Sequence, residues 1–430
     1  MLFLSAPAAN KHSGSNRCSP KSRDFFLVAI ARQLTTSKNL NRLFYFLMAA
    51  LVFVSIKHTA KHDLDFQVFY RTGQQFLSGN YDFYNLERDL NWTYRYGPLF
   101  PLFMAPFALL GRWEAQFVFG IINALAFPLA WFLMERVLAA RIGDIVRSPG
   151  VRILTLLMIL DYVNRNANQG NVNVLMFLAM VAAVDLSDRG RFVWAGVVTG
   201  LGAMVKVYPG AAALYFLCAR RWSEFVLSVV FTLLFTFGIP AIIYGPSTLV
   251  HQVEQWALIL QDRSYYPFFK YINQSPVAVM WRTSDSEAVG KSFHMIFNFL
   301  AALSLGFLVA LSIKVKETTE RYRHLDLSLM LVSLCMPLFV LTCVFTEYHI
   351  IAAPVVMVAN ALLLHRMLDR KWQAVYWIRF ALVHLAVLAI VGRALTESIG
   401  SYGNHLFGLV ALLLMIGFTL LVTRAKVKHA

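Results

Sequence analysis

Leu43-Phe-Tyr-Phe-Leu-Met-Ala-Ala-Leu-Val-Phe-Val-Ser55-Ile-Lys57 is a nearly uninterrupted apolar run, bounded by Arg42 and Lys57, and it is the first of a long series. Runs of this kind, roughly 15 to 25 residues long, suit helices crossing a hydrocarbon core of about 30 Å. They are continuous rather than alternating, which selects helices over the strands of a barrel. Across 430 residues the chain is 58% hydrophobic and 14% charged. With a mean hydropathy of +0.58, it is an all-α polytopic membrane protein, not a soluble domain.

Spans are placed near 43–57, 115–136, 153–164, 172–186, 192–206, 208–219, 224–243, 291–313, 327–346, 350–364, 373–392 and 406–422, about twelve in all. Residues 1–42 hold seven Lys or Arg against one Asp, without the apolar core or small-residue cleavage site of a signal peptide. They read as a retained cytoplasmic tail. With the tail inside, both termini are cytoplasmic and the net charge of +16 gathers on or near the inner face, as the positive-inside rule requires. The division expected is a basic tail at 1–42, a transmembrane module at 43–370 with outer loops at 58–114 and 244–290, and terminal helices with a short basic tail at 371–430. The positive charge therefore reports orientation and contact with anionic membrane lipids, and no nucleic-acid signature accompanies it. Cys18, Cys218, Cys335 and Cys343 form no CxxC pair and no ligand cluster with histidine, so neither disulfides nor zinc are indicated.

Polar residues interrupt this apolar background in six places: Asp65, Arg95 to Pro98, Asp161 to Asn173, Lys206 to Pro209, Asn273 to Arg282, and Glu347 to His349. All fall at the outer ends of spans or in outer loops, and the span centres are nearly free of charge. A transport pathway would instead set ionisable groups near the midplane and on both sides of it.

The first outer loop carries its own order. From 65 to 78, Phe66, Phe69, Tyr70, Gly73, Phe76 and Leu77 form one helical stripe opposed by Gln67, Arg71, Gln74 and Gln75. This is an amphipathic helix at the membrane surface, ended by Gly79. Asp65 stands at its start, in position either to cap it or to act as a base. Leu99 to Leu110 is apolar, short and interrupted by Pro101 and Pro106, so it reads as a dipping helix rather than a span. A cysteine at position 89 in this loop is expected to label from outside.

Lys206 and Arg282 are candidate partners for a phosphate, with Arg95 a third. Snorkelling at the interface competes for Lys206, and headgroup contact beside Trp281 competes for Arg282. His349 has three readings: substrate contact, a buried polar partner for another span, or a metal site with Glu347. The last is disfavoured because residues two apart do not share a helical face. Asn164, Arg165, Asn166, Asn168, Gln169, Asn171 and Asn173 make an amide-rich turn suited to sugar hydroxyls, with about half assigned to helix capping. Trp92, Tyr94, Trp256, Tyr265 and Tyr266 suit sugar stacking or the membrane interface, with the interface as the default.

The ordered set of motifs resembles glycosyltransferase family 87, integral-membrane enzymes of the GT-C class that include polyprenyl-phosphate-mannose-dependent mannosyltransferases. The matching elements are Asp65-Phe-Gln-Val-Phe-Tyr70-Arg-Thr-Gly73 with Leu77-Ser-Gly79 and Tyr84, and Tyr96-Gly-Pro-Leu-Phe100 with Ala105-Pro106. Gln169-Gly-Asn-Val-Asn173, Lys206-Val-Tyr-Pro209, Asn273-Gln274-Ser275 with Arg282, and His349 followed by Pro354 continue the set, over roughly residues 60 to 360. Three positions depart: Gly97 replaces the first of two prolines, Asn171 stands where Gln is common, and Glu347-Tyr348 precedes His349 where Trp and paired histidines are frequent.

The resemblance implies a GT-C-like bundle and inverting transfer of a hexose, mannose by preference. The donor would be a polyprenyl phosphate sugar and the acceptor a lipid or glycan hydroxyl at the outer face of the cytoplasmic membrane, with Asp65 as base. His62 and Asp63 lie close enough to compete for that role. Lys206, Tyr208, Arg282, His349, Gln169, Asn173, Asn273, Gln274, Arg95 and Tyr96 are the expected substrate- and phosphate-binding residues. No nucleotide-binding glycine loop follows a strand, in keeping with a donor that is not a nucleotide sugar, and no metal or other cofactor is expected. The alternative from another class is a flippase for lipid-linked sugar, without chemistry.

Overall fold

The computed structural model describes residues 29, 32–61, 64–89, 93–261, 273–315, 320–341 and 344–368. The expected spans at 373–392 and 406–422, with Arg379 and His384, lie outside the described residues, as do most of the tail, Cys18, Cys343, His62, Asp63, Trp92, Tyr265 and Tyr266.

The described chain is built of helices. They are α1 (Lys38–Lys61), α2 (Phe66–Leu77), α3 (Phe100–Ala108), α4 (Arg112–Ile142), α5 (Pro149–Gln169), α6 (Asn173–Asp188), α7 (Phe192–Val205) and α8 (Ala211–Cys218). There follow α9 (Trp222–Tyr244), α10 (Pro246–Gln261), α11 (Pro276–Ser284), α12 (Glu287–Ile313), α13 (Glu320–Val340) and α14 (Ala353–Leu368). Among the described residues six helical stretches are long and apolar enough to cross a membrane: α1, α4, α9, α12, residues Tyr322–Val340 of α13, and Thr346–His365, which joins a 3-10 turn to α14. The other expected spans within the described residues are also helical, but shorter or more polar. Two boundaries shift. The helix of the expected span 327–346 ends at Val340; Phe345 pairs with Asn273 in an isolated bridge, and a 3-10 helix follows over Thr346–Ala352. The segment 244–290, expected as an outer loop, is largely helical through α10 and α11.

Successive long helices run up and down, so the bundle has two chemically distinct ends. At one end Arg141 of α4 is bound by Asp188 of α6 at 2.6 Å, by Asp326 of α13 at 2.9 Å and by the Tyr215 hydroxyl of α8 at 2.9 Å. Nearby, Arg152 of α5 pairs with Glu135 of α4 at 2.6 Å, and Glu135 also accepts from the Trp131 indole. Each buried charge here has an opposite partner, without which its desolvation would cost several kcal/mol. Between the ends, Gly196 and Gly200 of α7 let α9 approach closely. A Cβ at either position would sit 2.6 Å or 2.7 Å from Leu227 or Phe231, the small-residue packing common in membrane helices.

At the other end α2 and α3 lie together across the bundle. The expected stripe of α2 is real, but protein covers it: Phe66, Val68, Phe69, Thr72 and Gly73 are buried, whereas Leu77 remains 47% exposed. Phe69 meets Tyr96 and Phe100 edge-on at 4.7 Å and 5.2 Å, and Phe66 meets Phe119 of α4 at 5.1 Å. Gly73 lets α2 rest on the Met104 carbonyl of α3, which an added Cβ would meet at 2.6 Å. Gly79, with φ of +72°, turns the chain beyond α2 where a side chain would strain it.

Candidate active site

Asp65 immediately precedes α2. Its backbone carbonyl accepts the amides of Val68 and Phe69, but its carboxylate makes no capping bond. The capping reading therefore does not account for this side chain. The Asp65 amide donates to the Gln169 carbonyl at 2.8 Å, tying the start of α2 to the end of α5. Gly170 then adopts a left-handed conformation, φ of 61°, and turns the chain into α6. That turn delivers Asn171, whose side-chain amide donates to the Asp65 carboxylate. The amide oxygen of Asn171 in turn accepts from the Lys206 ammonium at 2.9 Å.

Lys206 ends α7, half-buried rather than extended into a headgroup layer. Its Nζ also donates to Asn173 at 2.8 Å and lies over the faces of Tyr96, 5.1 Å from the centroid, and Tyr348, at 4.8 Å. Aromatic faces attract a cation, and the contact strengthens as water is excluded. The Tyr208 hydroxyl donates to the same Asn173 oxygen at 2.9 Å, so one buried amide receives both groups. Asn166, by contrast, accepts the backbone amide of Asn173 and holds the start of α6, while Arg165 pairs with Asp161. The amide-rich turn thus divides between structure and site.

Burial raises the Asp65 carboxyl from its ordinary 3.8 to about 6, while the Lys206 charge and the Asn171 hydrogen bond act in the opposite direction. Glu347, also buried, contributes a second carboxylate facing Asp65.

The remaining sequence candidates gather around this centre through the backbone. The Asn273 carboxamide oxygen accepts from the amides of Ser275 and Val344, both at 3.1 Å, and the Gln274 amide donates to the Val344 carbonyl at 2.7 Å. Arg282 of α11 donates to the Asn273 carbonyl at 2.6 Å, and burial pulls its guanidinium down to about 10. These contacts pin the strand-like stretch before Glu347 and Tyr348. The His349 ring lies 5.7 Å from that of Tyr162, its Nδ1 3.2 Å from the Thr346 carbonyl. Arg95 enters through its carbonyl, which accepts from the Trp256 indole at 3.2 Å.

A scan of known families matches residues 92–342, more than half of the chain, to Glycosyltransferase family 87. The chain belongs to glycosyltransferase family 87. The matched stretch contains Tyr96, Asn171, Asn173, Lys206, Tyr208, Asn273 and Arg282, with Asp65 and His349 on either side of it. A relative in Mycolicibacterium smegmatis, named a polyprenol-phosphate-mannose-dependent alpha-(1-2)-phosphatidylinositol pentamannoside mannosyltransferase, is 28% identical over 218 residues. That alignment covers 50% of this chain and 47% of the relative, so the match spans about half of each protein. No solved structure matches.

Within this family 87 chain one departure acquires a structural reason. A Cβ at Gly97 would lie 1.9 Å from the Met204 carbonyl, so the Tyr96-Gly97-Pro98 loop passes directly over the last turn of α7. The surrounding aromatics hold that loop: Tyr84 donates to the Tyr96 carbonyl, Tyr94 to that of Gly97 and Tyr244 to that of Pro98, at 2.7 to 2.8 Å. Tyr94 and Trp256, expected at the interface or against a sugar, are thus structural supports. Asn171, Glu347 and Tyr348 are the site-facing residues that the sequence-based set lacks. Asn171 was visible as an amide where Gln is common, but an Asn after Gly reads first as a turn or cap residue. Among the described residues no group of three or more His, Cys, Asp or Glu side chains is placed to hold a metal ion.

Proposed function

We propose that this chain, through the module at 43–370, transfers a hexose from a polyprenyl phosphate to an acceptor hydroxyl at the outer face of the cytoplasmic membrane, with inversion. Mannose is the sugar and a glycolipid the acceptor, as the relative's name suggests for that protein. Asp65 takes the acceptor proton as the hydroxyl oxygen bonds to the anomeric carbon. The sugar–phosphate bond breaks, and its electron pair leaves with the polyprenyl phosphate. Lys206, steadied by Asn171 and Asn173, offsets that charge, with Arg282 and His349 completing the phosphate side.

The observation that carries this reading is the Asp65–Asn171–Lys206 arrangement: a base and a cation fixed side by side by one amide. A carboxyl raised to about 6 is a stronger base than an ordinary aspartate and is still mostly ionised at pH 7. On this reading side chains carry the charge, with no nucleotide or metal taking part. A flippase would present charged groups along a path through the bundle, whereas the ion pairs described above cluster at one end and the Asp65 site at the other.

The test is transfer of labelled mannose from polyprenyl phosphate mannose into membrane lipid by purified protein, comparing wild type with Asp65→Asn. The variant is expected to lose at least ~10²-fold, the contribution of a positioned base, with its thermal midpoint unimpaired. Transfer retained at the wild-type rate would remove Asp65 from this role.

A further inference from the structure

Beneath the Asp65 site, between α1, α4, α5 and α6, lies a small cavity with a partly polar wall. Ser55, Thr59, Asn123, Asn166 and Asn171 line it together with Phe127 and other apolar groups. Asn123 comes from the middle of α4, a helix long and apolar enough to cross a membrane, and is only 6% exposed. Neither its amide nitrogen nor its carboxamide oxygen has a hydrogen-bond partner among the described residues. A buried polar atom left unpaired costs about 1–3 kcal/mol. Two such atoms on one side chain are compensated where a water molecule bridges them to neighbours. The cavity is just large enough for one, and its polar wall supplies the partners a buried water requires.

We propose that this cavity holds an ordered water molecule through which Asn123 steadies Asn171, making Asn123 a positioning residue for Asp65. Asn171 lines the cavity and is the residue whose amide donates to the Asp65 carboxylate. That hydrogen bond favours the ionised carboxyl, so an Asn171 side chain free to swing would leave Asp65 harder to ionise. The charged groups facing Asp65 among the described residues are Lys206 at the end of α7 and Glu347 in the 3-10 turn; neither belongs to the cavity wall. The consequence of this positioning for catalysis rests on the glycosyltransferase reading above, but the positioning itself does not.

Two measurements test it without relying on turnover. In a density map fine enough to show ordered water, wild-type protein is expected to carry a peak within hydrogen-bond distance of Asn123. A dry cavity overturns the proposal. The Asp65 carboxyl is then titrated by infrared difference spectroscopy, with Asp65→Asn as the blank, in wild type, Asn123→Leu and Asn123→Ser. Asn123→Leu fills the space with an apolar side chain and is expected to move the midpoint to higher pH. Asn123→Ser keeps a hydroxyl and leaves room for water, so its midpoint is expected to stay with wild type. An unmoved midpoint in Asn123→Leu, or equal shifts in both variants, overturns the proposal in favour of plain packing. Failure of sugar transfer in wild type would count against the proposed function alone, since the titration and the density still report on Asn123.

Discussion

The acid limb of the pH profile is the most direct consequence of where Asp65 sits. With its carboxyl near 6 rather than 3.8, the difference corresponds to about 3 kcal/mol disfavouring ionisation. If Asp65 must be ionised to accept a proton, about nine-tenths of the protein is competent at pH 7, half at pH 6 and about one-tenth at pH 5. The kcat/KM for transfer from polyprenyl phosphate mannose should therefore fall about tenfold per pH unit below 6, in purified protein assayed from pH 4.5 to 8. Replacing Lys206 with Met removes the charge that holds this carboxyl down, so the limb should move to higher pH as the rate falls. Linkage gives the opposite sign for stability. The folded form binds this proton more tightly than the unfolded chain, so the cost of the buried charge is present above about pH 6 and relieved as pH falls toward 3.8. A profile flat between pH 5 and 7, or an acid limb near 4 unaffected by Lys206→Met, would refute the assignment of Asp65 as an enclosed base.

Gly97→Ala pushes a methyl group into the Met204 carbonyl and should cost ~1–3 kcal/mol of stability, as an overpacked core does, read as a lower thermal midpoint. Because Met204 lies two residues before Lys206, transfer should fall with it; an unchanged midpoint would mean that the loop does not rest on α7. Sidedness is open to labelling, but position 89 does not suit it: Asp89 is buried and paired with Arg71 and Arg88. Gln74, exposed on α2, is the better probe. An impermeant maleimide should label Gln74→Cys in intact cells, and labelling only after permeabilisation would reverse the proposed orientation.

Long-period information survived the passage from sequence to structure best. Apolar runs marked the helices, and the six polar interruptions marked one end of the bundle, because a charge in a span must find a partner or an end. Asp65, Lys206, Asn173, Tyr208 and Tyr96 come together as the motifs suggested. The fine assignments were less legible for a physical reason: one residue type serves two masters. Asn166 and Asn173 are seven residues apart in the same turn, yet one holds a helix start and the other receives the Lys206 ammonium and the Tyr208 hydroxyl. The Tyr94 and Trp256 side chains looked like membrane anchors because amphipathic aromatics suit either role. Only the carbonyls they reach, each in the 95–98 loop, distinguish the two. The end of α13 at Val340 was hidden because the apolar run continues, while the pairing of Phe345 with Asn273 is non-local.

The single amide of Asn171 separates a negative from a positive group that would otherwise collapse onto each other. A direct contact would quench both poles and orient them toward one another. An interposed carboxamide fits only one way round, with its NH₂ toward the carboxylate and its oxygen toward the ammonium, so it acts as a keyed spacer that preserves the polarity of the pair. On the proposed reading, that polarity lets one lipid-borne substrate meet a proton acceptor at its sugar end and a cation at its phosphate end in the same encounter. Asn171→Asp would keep the shape and destroy the keying, because it has no NH₂ to offer Asp65 and sets a second carboxylate against the first.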